Sequence, residues 1–208
     1  MIKEACVEGF TEALRAQELG ADRIELCENL EVGGTTPSWG TLHCCKKYLK
    51  IPVIAMIRPR GGNFIYSQEE REIMAEDIKA CVSAGIDGIA IGMLTPSGEI
   101  DMTGLQNLLK AAGHMQVTFH KAIDETRDPV KEFIRLRDSG LITRVLTSGG
   151  APTAREGAEM LNRLITLASG RLTVLAAGKV TRENLPELAG LIPTQEFHGK
   201  KIVGELQS

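Results

Sequence analysis

The chain lacks long apolar runs and basic clusters, and it has few aromatic residues. Its 208 residues carry 24 Lys and Arg against 27 Asp and Glu, with one Trp, two Tyr and five Phe. A membrane-spanning helix needs about 20 apolar residues, and nucleic-acid-binding surfaces are basic. We therefore expect neither a membrane nor a nucleic acid as a partner. The first residues show no basic and apolar leader, which predicts a cytoplasmic protein.

Cysteine is scarce, and its spacing fits neither a zinc finger nor a disulfide framework. The five cysteines are Cys6, Cys27, Cys44, Cys45 and Cys81. In the cytoplasm we expect all of them to be reduced. The last three fall on predicted helices, where a structural role is expected. Cys6 and Cys27 fall at the ends of predicted strands.

Apolar segments alternate between strand-like and helix-like patterns along one domain, residues 1–208. The patterns predict strands at 2–7, 23–27, 52–57, 88–91, 116–120, 144–147, 172–176 and 194–197. They predict helices at 11–19, 38–48, 68–84, 102–112, 153–169 and 181–189, and one more beginning at Asp128-Pro129. Strand starts lie roughly 21 to 35 residues apart, as in an eightfold barrel.

We therefore predict an α/β fold, a (β/α)8 TIM-like barrel of eight parallel strands. A doubly wound open sheet would carry a glycine-rich loop after its first strand, and residues 6–10 do not. Only eleven residues follow Phe197, so the eighth helix is expected to be short or missing. The thinly covered flank predicts a possible homo-oligomer.

Two arginines occupy the loop after the third predicted strand. Arg58 and Arg60 follow the apolar run 52–57, and the next helix begins with a capping box of Ser67 and Glu70. Ligands of parallel α/β folds bind at the carboxyl ends of strands. The loop is thus a candidate anion site, and a surface loop of ordinary ion pairs is the alternative.

Polar residues also end the other predicted strands. Because side chains alternate along a strand, residues two apart share a face. Such pairs are Glu25 with Cys27, Thr118 with His120, and Glu196 with His198; Asp124 and the turn 147–150, with Ser148 and Gly149, follow strands five and six. Singly, each could be structural. Together they predict a site at the barrel mouth.

Several of these motifs resemble the CutC family. They are Glu4-x-Cys6, ADRIELC at 21–27, GGTTPS at 33–38, the loop 58–67, VTFHKAID at 117–124 and RVLTSG at 144–149. The resemblance implies a cytoplasmic TIM-type barrel, named for a role in copper homeostasis, that binds Cu(I) through Cys6 and Cys27. Thiolates suit that soft ion. Lys179, in the turn after strand seven, departs from the glycine-rich pattern of the family.

A second hypothesis is an enzyme that acts on a small anionic metabolite, phosphate or carboxylate, and whether the protein is an enzyme stays open. Glu25 and His120 would be the general acid and base, with Asp124 orienting the imidazole. Arg58 and Arg60 would bind the anion together with Ser148, Gly149 and His198. We expect one cavity to be lined by Glu25, Arg58, Arg60, His120 and Asp124, with Arg58 paired to Glu25 or another carboxylate when no ligand is bound. No organic cofactor is expected.

Overall fold

A computed structural model describes residues 1–206, and its central feature is a closed barrel of eight parallel strands. The strands are β1 (Ile2–Glu8), β2 (Arg23–Cys27), β3 (Val53–Ile57), β4 (Gly88–Ile91), β5 (Gln116–Phe119), β6 (Arg144–Thr147), β7 (Thr173–Ala176) and β8 (Glu196–Gly199). They pair in chain order, and β8 closes the barrel against β1. The predicted TIM-like barrel is confirmed.

Seven α-helices connect these strands. They are α1 (Gly9–Glu18), α2 (Trp39–Tyr48), α3 (Gln68–Ala84), α4 (Met102–Leu109), α5 (Pro129–Ser139), α6 (Ala158–Ala168) and α7 (Leu185–Leu191). The predicted capping box of Ser67 and Glu70 opens α3. Asp128 caps α5 by accepting the Lys131 N–H at 3.0 Å.

Two helices begin later than the sequence predicts. The expected start of α6 at residue 153 is wrong, because the segment before it forms turns in which the Ala154 N–H donates to the Gly178 carbonyl, 2.8 Å away. The expected start of α7 at residue 181 is wrong because Thr181 forms a bridge with Lys201. Both segments are held by backbone bonds that depend on residues distant in sequence.

The strands have two differently composed faces. Outward side chains such as Ile24, Ile89 and Phe119 are fully buried against the helices. Inside the barrel, the upper layer contains Cys6, Cys27, Ile54, Met56 and Ala90. A lower layer is charged, because Arg23 pairs with Glu4 and Glu196, and Arg144 Nε lies 3.1 Å from Glu196 Oε2.

The eighth helix is missing from the part of the chain that the structure describes, as predicted. The segment after β8 instead covers the flank, because Ile202 and Val203 are buried and Leu206 packs against the core. Among residues 1–206, no helix combines the length and apolarity required to cross a membrane.

Candidate functional site

A cavity of about 600 Å³ opens at the carboxyl end of the barrel. Its floor includes Cys6, Glu25, Met56 and His198, from strands β1, β2, β3 and β8. Its wall and rim include Arg58, His120, Lys121, Lys179, Lys200 and Lys201. The strand ends thus form a partly apolar floor that contains sulfur atoms, and cationic side chains surround it at the rim.

Three potential metal ligands meet at the base of the cavity, where Cys6 and Glu25 line the floor and Cys27 lies outside the lining. In the parallel register Cys6 lies opposite Glu25, and Cys27 lies two residues further along the same face of β2. One donor atom from each of Cys6, Glu25 and Cys27 lies within 4.8 Å of the other two. The Cys27 thiol donates to Glu25 Oε2, 3.8 Å away.

The two thiols differ in pKa. The neighbouring Cys27 thiol lowers the pKa of Cys6 well below its usual range; burial opposes this, and His198 adds to it. The contact with Cys6 and burial raise the pKa of Cys27. Of the two, Cys6 is therefore the thiol that loses its proton more readily.

His198 is held between carboxylates. Its Nδ1 lies 2.9 Å from Glu4 Oε1, and its Nε2 lies 3.6 Å from Glu25 Oε2. Burial lowers the pKa of His198, but Glu25, Cys6 and Glu4 together raise it well above its usual value. Burial likewise opposes, without overcoming, the effects of His198 and Arg23 that lower the pKa of Glu4 to about 2. Glu4 therefore fixes the orientation of the ring and favours its charged form.

Glu25 is a buried acid of the floor that lacks part of its hydrogen bonding. Its side chain is buried, and no hydrogen-bond partner reaches Oε1. Burial raises the pKa of Glu25 well above its usual range; the charge of His198 opposes this shift, and Cys6 and Glu4 reinforce it. A protonated carboxyl at this place is a hydrogen-bond donor and an acid.

His120 is neutral and donates from one nitrogen. Its Nδ1 accepts the Ala122 N–H at 3.2 Å, which places the ring proton on Nε2. Burial and the positive charge of Arg58 lower the pKa of His120 to about 3. Nε2 has no partner. The proposed role of His120 as an acid or base stays a prediction. In the structure the Nε2–H group is a hydrogen-bond donor without an acceptor.

Arg58 is paired with backbone rather than with a carboxylate. Its Nη1 donates to the carbonyls of Val32 and Gly34 at 3.0 and 3.1 Å, and its Nη2 donates to that of Gly62 at 2.7 Å. The expectation of a carboxylate partner is wrong, because loop carbonyls accept from both Nη groups of the buried guanidinium, while its Nε has no hydrogen-bond partner. Phe64 packs on it, 4.7 Å from Cζ to the ring centre.

Arg60 lies outside the residues that line the cavity. Its Nε donates to Glu70 Oε1 at 2.5 Å, and its Nη2 to the Ile65 carbonyl at 2.9 Å. The expected single cavity therefore contains Glu25, Arg58 and His120 but does not contain Arg60. The reason is the capping carboxylate of α3, which holds the guanidinium on the surface.

Asp124 is also outside that lining, and it fills the turn after β6. The backbone N–H groups of Ser148 and Gly150 each donate to its carboxylate at 3.0 Å, and the Thr147 hydroxyl is a third donor to it. Asp124 therefore does not orient His120. The turn that includes Ser148 and Gly149 already binds an anion, the chain's own carboxylate.

The structure adds residues that sequence reasoning did not place in the site. Glu4 and Arg23 support the floor from below, and Lys121 and Lys200 contribute to the rim. The spacing Glu4-x-Cys6 indicates a place for Glu4 in the site, because it puts a carboxylate below the thiol on one face of β1. The rim lysines stand in loops and carry none.

Comparisons with known proteins agree on one family. The family model described as the CutC family matches residues 1–203. A CutC family protein of Xylella fastidiosa is 45% identical over 195 residues, 94% of this chain and 73% of that protein. The human copper homeostasis protein cutC homolog is 43% identical over 197 residues, 95% of this chain and 72% of the human one.

Solved structures agree with the fold. A crystal structure of CutC from Streptococcus agalactiae matches with a TM-score of 0.92 at 35% identity, covering 97% of this chain and 99% of that one. An aldolase matches with a TM-score of 0.70 at 12% identity, covering 98% of this chain and 91% of its own. At that identity the second likeness concerns the barrel alone.

Proposed function

The chain belongs to the CutC family, and from this we propose that it serves copper homeostasis by binding Cu(I) between Cys6 and Cys27. One observation supports the proposal most directly. Donor atoms of Cys6, Cys27 and Glu25 lie within 4.8 Å of one another, and Cys6 and Glu25 line the cavity floor. The human relative at 43% identity bears the name copper homeostasis protein cutC homolog.

The donor set suits a soft monovalent ion. Thiolates and thioethers select Cu(I) over harder ions, and Met56 packs in the same cluster as both cysteines. With metal–sulfur bonds of about 2.3 Å, as for zinc, two sulfurs on opposite sides of an ion would lie about 4.6 Å apart. The two sulfurs lie no more than 4.8 Å apart, which is compatible with such a site.

The surroundings of the pair favour an anionic sulfur at Cys6. The pKa of Cys6 is lowered and that of Cys27 is raised, so Cys27 is the thiol that gives up its proton less readily when it becomes a ligand. His198 lies beside the pair and is anchored by Glu4. As part of the proposal we place the protein in the cytoplasm, where its cysteines stay reduced.

The test is a Cu(I) titration of the reduced protein against a chromophoric chelator. We expect the Cys6→Ser, Cys27→Ser double variant to bind Cu(I) more weakly by on the order of 100-fold or more, because losing only an outer-shell partner costs roughly 10- to 100-fold. Cys44→Ser, a half-buried thiol on α2, is the matched control. Unchanged affinity in the double variant contradicts the proposal.

A second candidate is an enzyme that acts on a small anion at the same mouth. One observation favours it: five Lys and Arg side chains line the cavity, but Glu25 is the single carboxylate among its described lining residues. A bare ion needs neither this rim nor about 600 Å³ of space. Calorimetry with small carboxylates and phosphates tests this candidate, and we expect weaker binding in Lys179→Gln.

A further inference from the structure

Apolar side chains inside the barrel form two separate clusters. The first is the upper layer on strands β1 to β4, which includes Cys6 and Met56. The second consists of Leu146, Leu175 and Ala177, from β6, β7 and the residue that follows β7. Barrels of this type normally fill their interior with packed layers of side chains. A break between two apolar clusters therefore marks a space that the protein's own side chains leave open.

The cavity at the mouth borders both clusters. Its lining takes side chains from each of them and from two neighbouring loops: Cys6, Met56, Leu146, Ala177, Phe64 and Val180. Its volume of about 600 Å³ lies in the range of sites that enclose small molecules. An apolar group placed there is removed from water by both clusters, which is favourable.

Positive charge lies above this apolar wall. Met56 and Leu146 lie within strands, whereas Lys179 and Lys200 follow the ends of β7 and β8. Because all strands of a parallel barrel run toward the same end, residues that follow the strands lie nearer to the mouth. Glu25, the single carboxylate of the described lining, lies at the floor and offers a negative group no counter-charge there. The cavity thus suits a negative group at the rim and an apolar body below it.

Lys179 is the rim cation without a partner. The other four are bonded within residues 1–206: Arg58 and Lys200 to backbone carbonyls, and Lys121 and Lys201 to carboxylates 2.9 and 2.6 Å away. In that part of the chain the Lys179 ammonium forms no ion pair. Its positive charge is therefore available to an anion that enters the cavity.

The backbone fixes Lys179 at this place. Its φ of 52° is left-handed, which is uncommon for a residue with a Cβ atom. The Lys179 carbonyl accepts from Asn184 Nδ2 at 2.9 Å, and the Gly178 carbonyl accepts the Ala154 N–H at 2.8 Å. These two bonds hold the turn, so the stem of the lysine side chain starts from a fixed point beside the mouth.

We propose that the cavity binds an amphipathic organic anion, a carboxylate with an apolar chain, whose negative group pairs with Lys179 and whose chain lies between the two clusters. The proposal rests on the second candidate function and adds the class of ligand. Lys179 is a specificity-determining residue in this arrangement. A fully polar metabolite is disfavoured, because its hydroxyl groups would face Met56 and Leu146 without hydrogen-bond partners.

The experiment is calorimetry of the reduced, copper-free protein with acetate, butanoate, hexanoate and octanoate at constant ionic strength, and with inorganic phosphate as the polar anion. We expect the affinity of wild type to rise roughly threefold to fourfold per methylene until the chain fills the cavity, because each methylene that leaves water gains hydrophobic free energy. Inorganic phosphate should bind more weakly than octanoate.

Two variants of Lys179 test the anchor. Lys179→Gln and Lys179→Gly should weaken the binding of all four carboxylates by about two- to fivefold, as for an exposed ion pair, without changing the dependence on chain length. Glycine readily adopts the left-handed conformation, so agreement between the two variants assigns the loss to charge and not to a disturbed turn. Lys110→Gln is the matched control, because Lys110 is an exposed lysine at the end of α4 and lies outside the lining.

Leu146→Asn tests the apolar wall and should weaken octanoate binding while leaving acetate binding unchanged. If this variant does not fold, Val180→Thr, a change that keeps the shape of the side chain, should act in the same direction. Equal affinity of wild type for acetate and octanoate, or octanoate binding that Lys179→Gln leaves unchanged, overturns the inference. Acetate or phosphate binding would then leave the second candidate standing, and the absence of binding by every anion would remove that candidate as well.

Discussion

His120 illustrates at the scale of one residue how a neighbour decides the chemistry of a side chain. The sequence places it on the strand β5 face that leads to the mouth, where an acid or base is expected. The Ala122 N–H occupies Nδ1, and Arg58 and burial keep the ring uncharged. The ring also packs 4.9 Å from Phe64, centre to centre. A residue of this kind binds an acceptor more readily than it transfers a proton.

The neutral His120 should make the fold sensitive to acid. Its pKa is about 3 in the folded protein and about 6.5 in an unfolded chain. Between these values the unfolded state binds more protons, so stability falls as pH drops, by up to about 1.4 kcal/mol per pH unit from this group. We expect His120→Asn, which keeps an acceptor, to flatten the pH dependence of urea unfolding between pH 6 and 4. An equally steep curve in the variant contradicts the assignment.

The loop after β6 shows how one element can occupy a site that the fold offers to ligands. Barrels of this type often bind phosphate near the ends of late strands. Here the Ser148 and Gly150 N–H groups and the Thr147 hydroxyl are satisfied by Asp124. Lys121 Nζ lies 2.9 Å from the same carboxylate. The turn after β6 has no free donors for an external anion, because the Asp124 carboxylate already accepts their hydrogen bonds.

Removing that carboxylate should open the turn. We expect Asp124→Ala to lower the free energy of unfolding by about 1–3 kcal/mol, because two partly buried donors and one exposed donor lose their acceptor. Phosphate should then raise the melting temperature of the variant but not that of wild type, since only the variant has a vacant site.

Asp128→Ala is the matched control, because it removes a helix cap that also accepts a backbone N–H without emptying a turn of converging donors. Chloride at equal ionic strength controls for salt. Equal phosphate responses in Asp124→Ala and Asp128→Ala contradict the interpretation of this turn as an anion site.

At the scale of the whole molecule, a barrel with seven helices has one flank without a helix. An irregular segment after β8 covers this flank, and within it Ile202 is 1% exposed and Val203 is 2% exposed. The larger exposed apolar side chains lie elsewhere and include Trp39 on α2 and Ile73 on α3. The homo-oligomer expected from the sequence stays a prediction, which sedimentation of the wild-type protein tests.

Uncovering the flank should destabilise the barrel and promote association. We expect Ile202→Asp to lower the free energy of unfolding by about 3 kcal/mol or more, because it buries an unpaired charge or detaches the segment. Larger species should appear in sedimentation as apolar surface is exposed. Leu191→Asp, on a side chain that is 42% exposed, is the control. Equal effects of the two changes contradict a covering role.

The sequence by itself determined the barrel, the helix caps at Ser67 and Asp128, and the meeting of Cys6, Glu25 and His120 at one end. Periodicity and capping depend on residues close in the chain, and parallel strands must bring their carboxyl ends together. Only the tertiary structure decided that Asp124 fills the turn after β6, that Arg58 binds carbonyls, and that Arg60 stays on the surface. Those outcomes depend on which donors and acceptors, distant in sequence, come within about 3 Å of one another, and no local pattern contains that information.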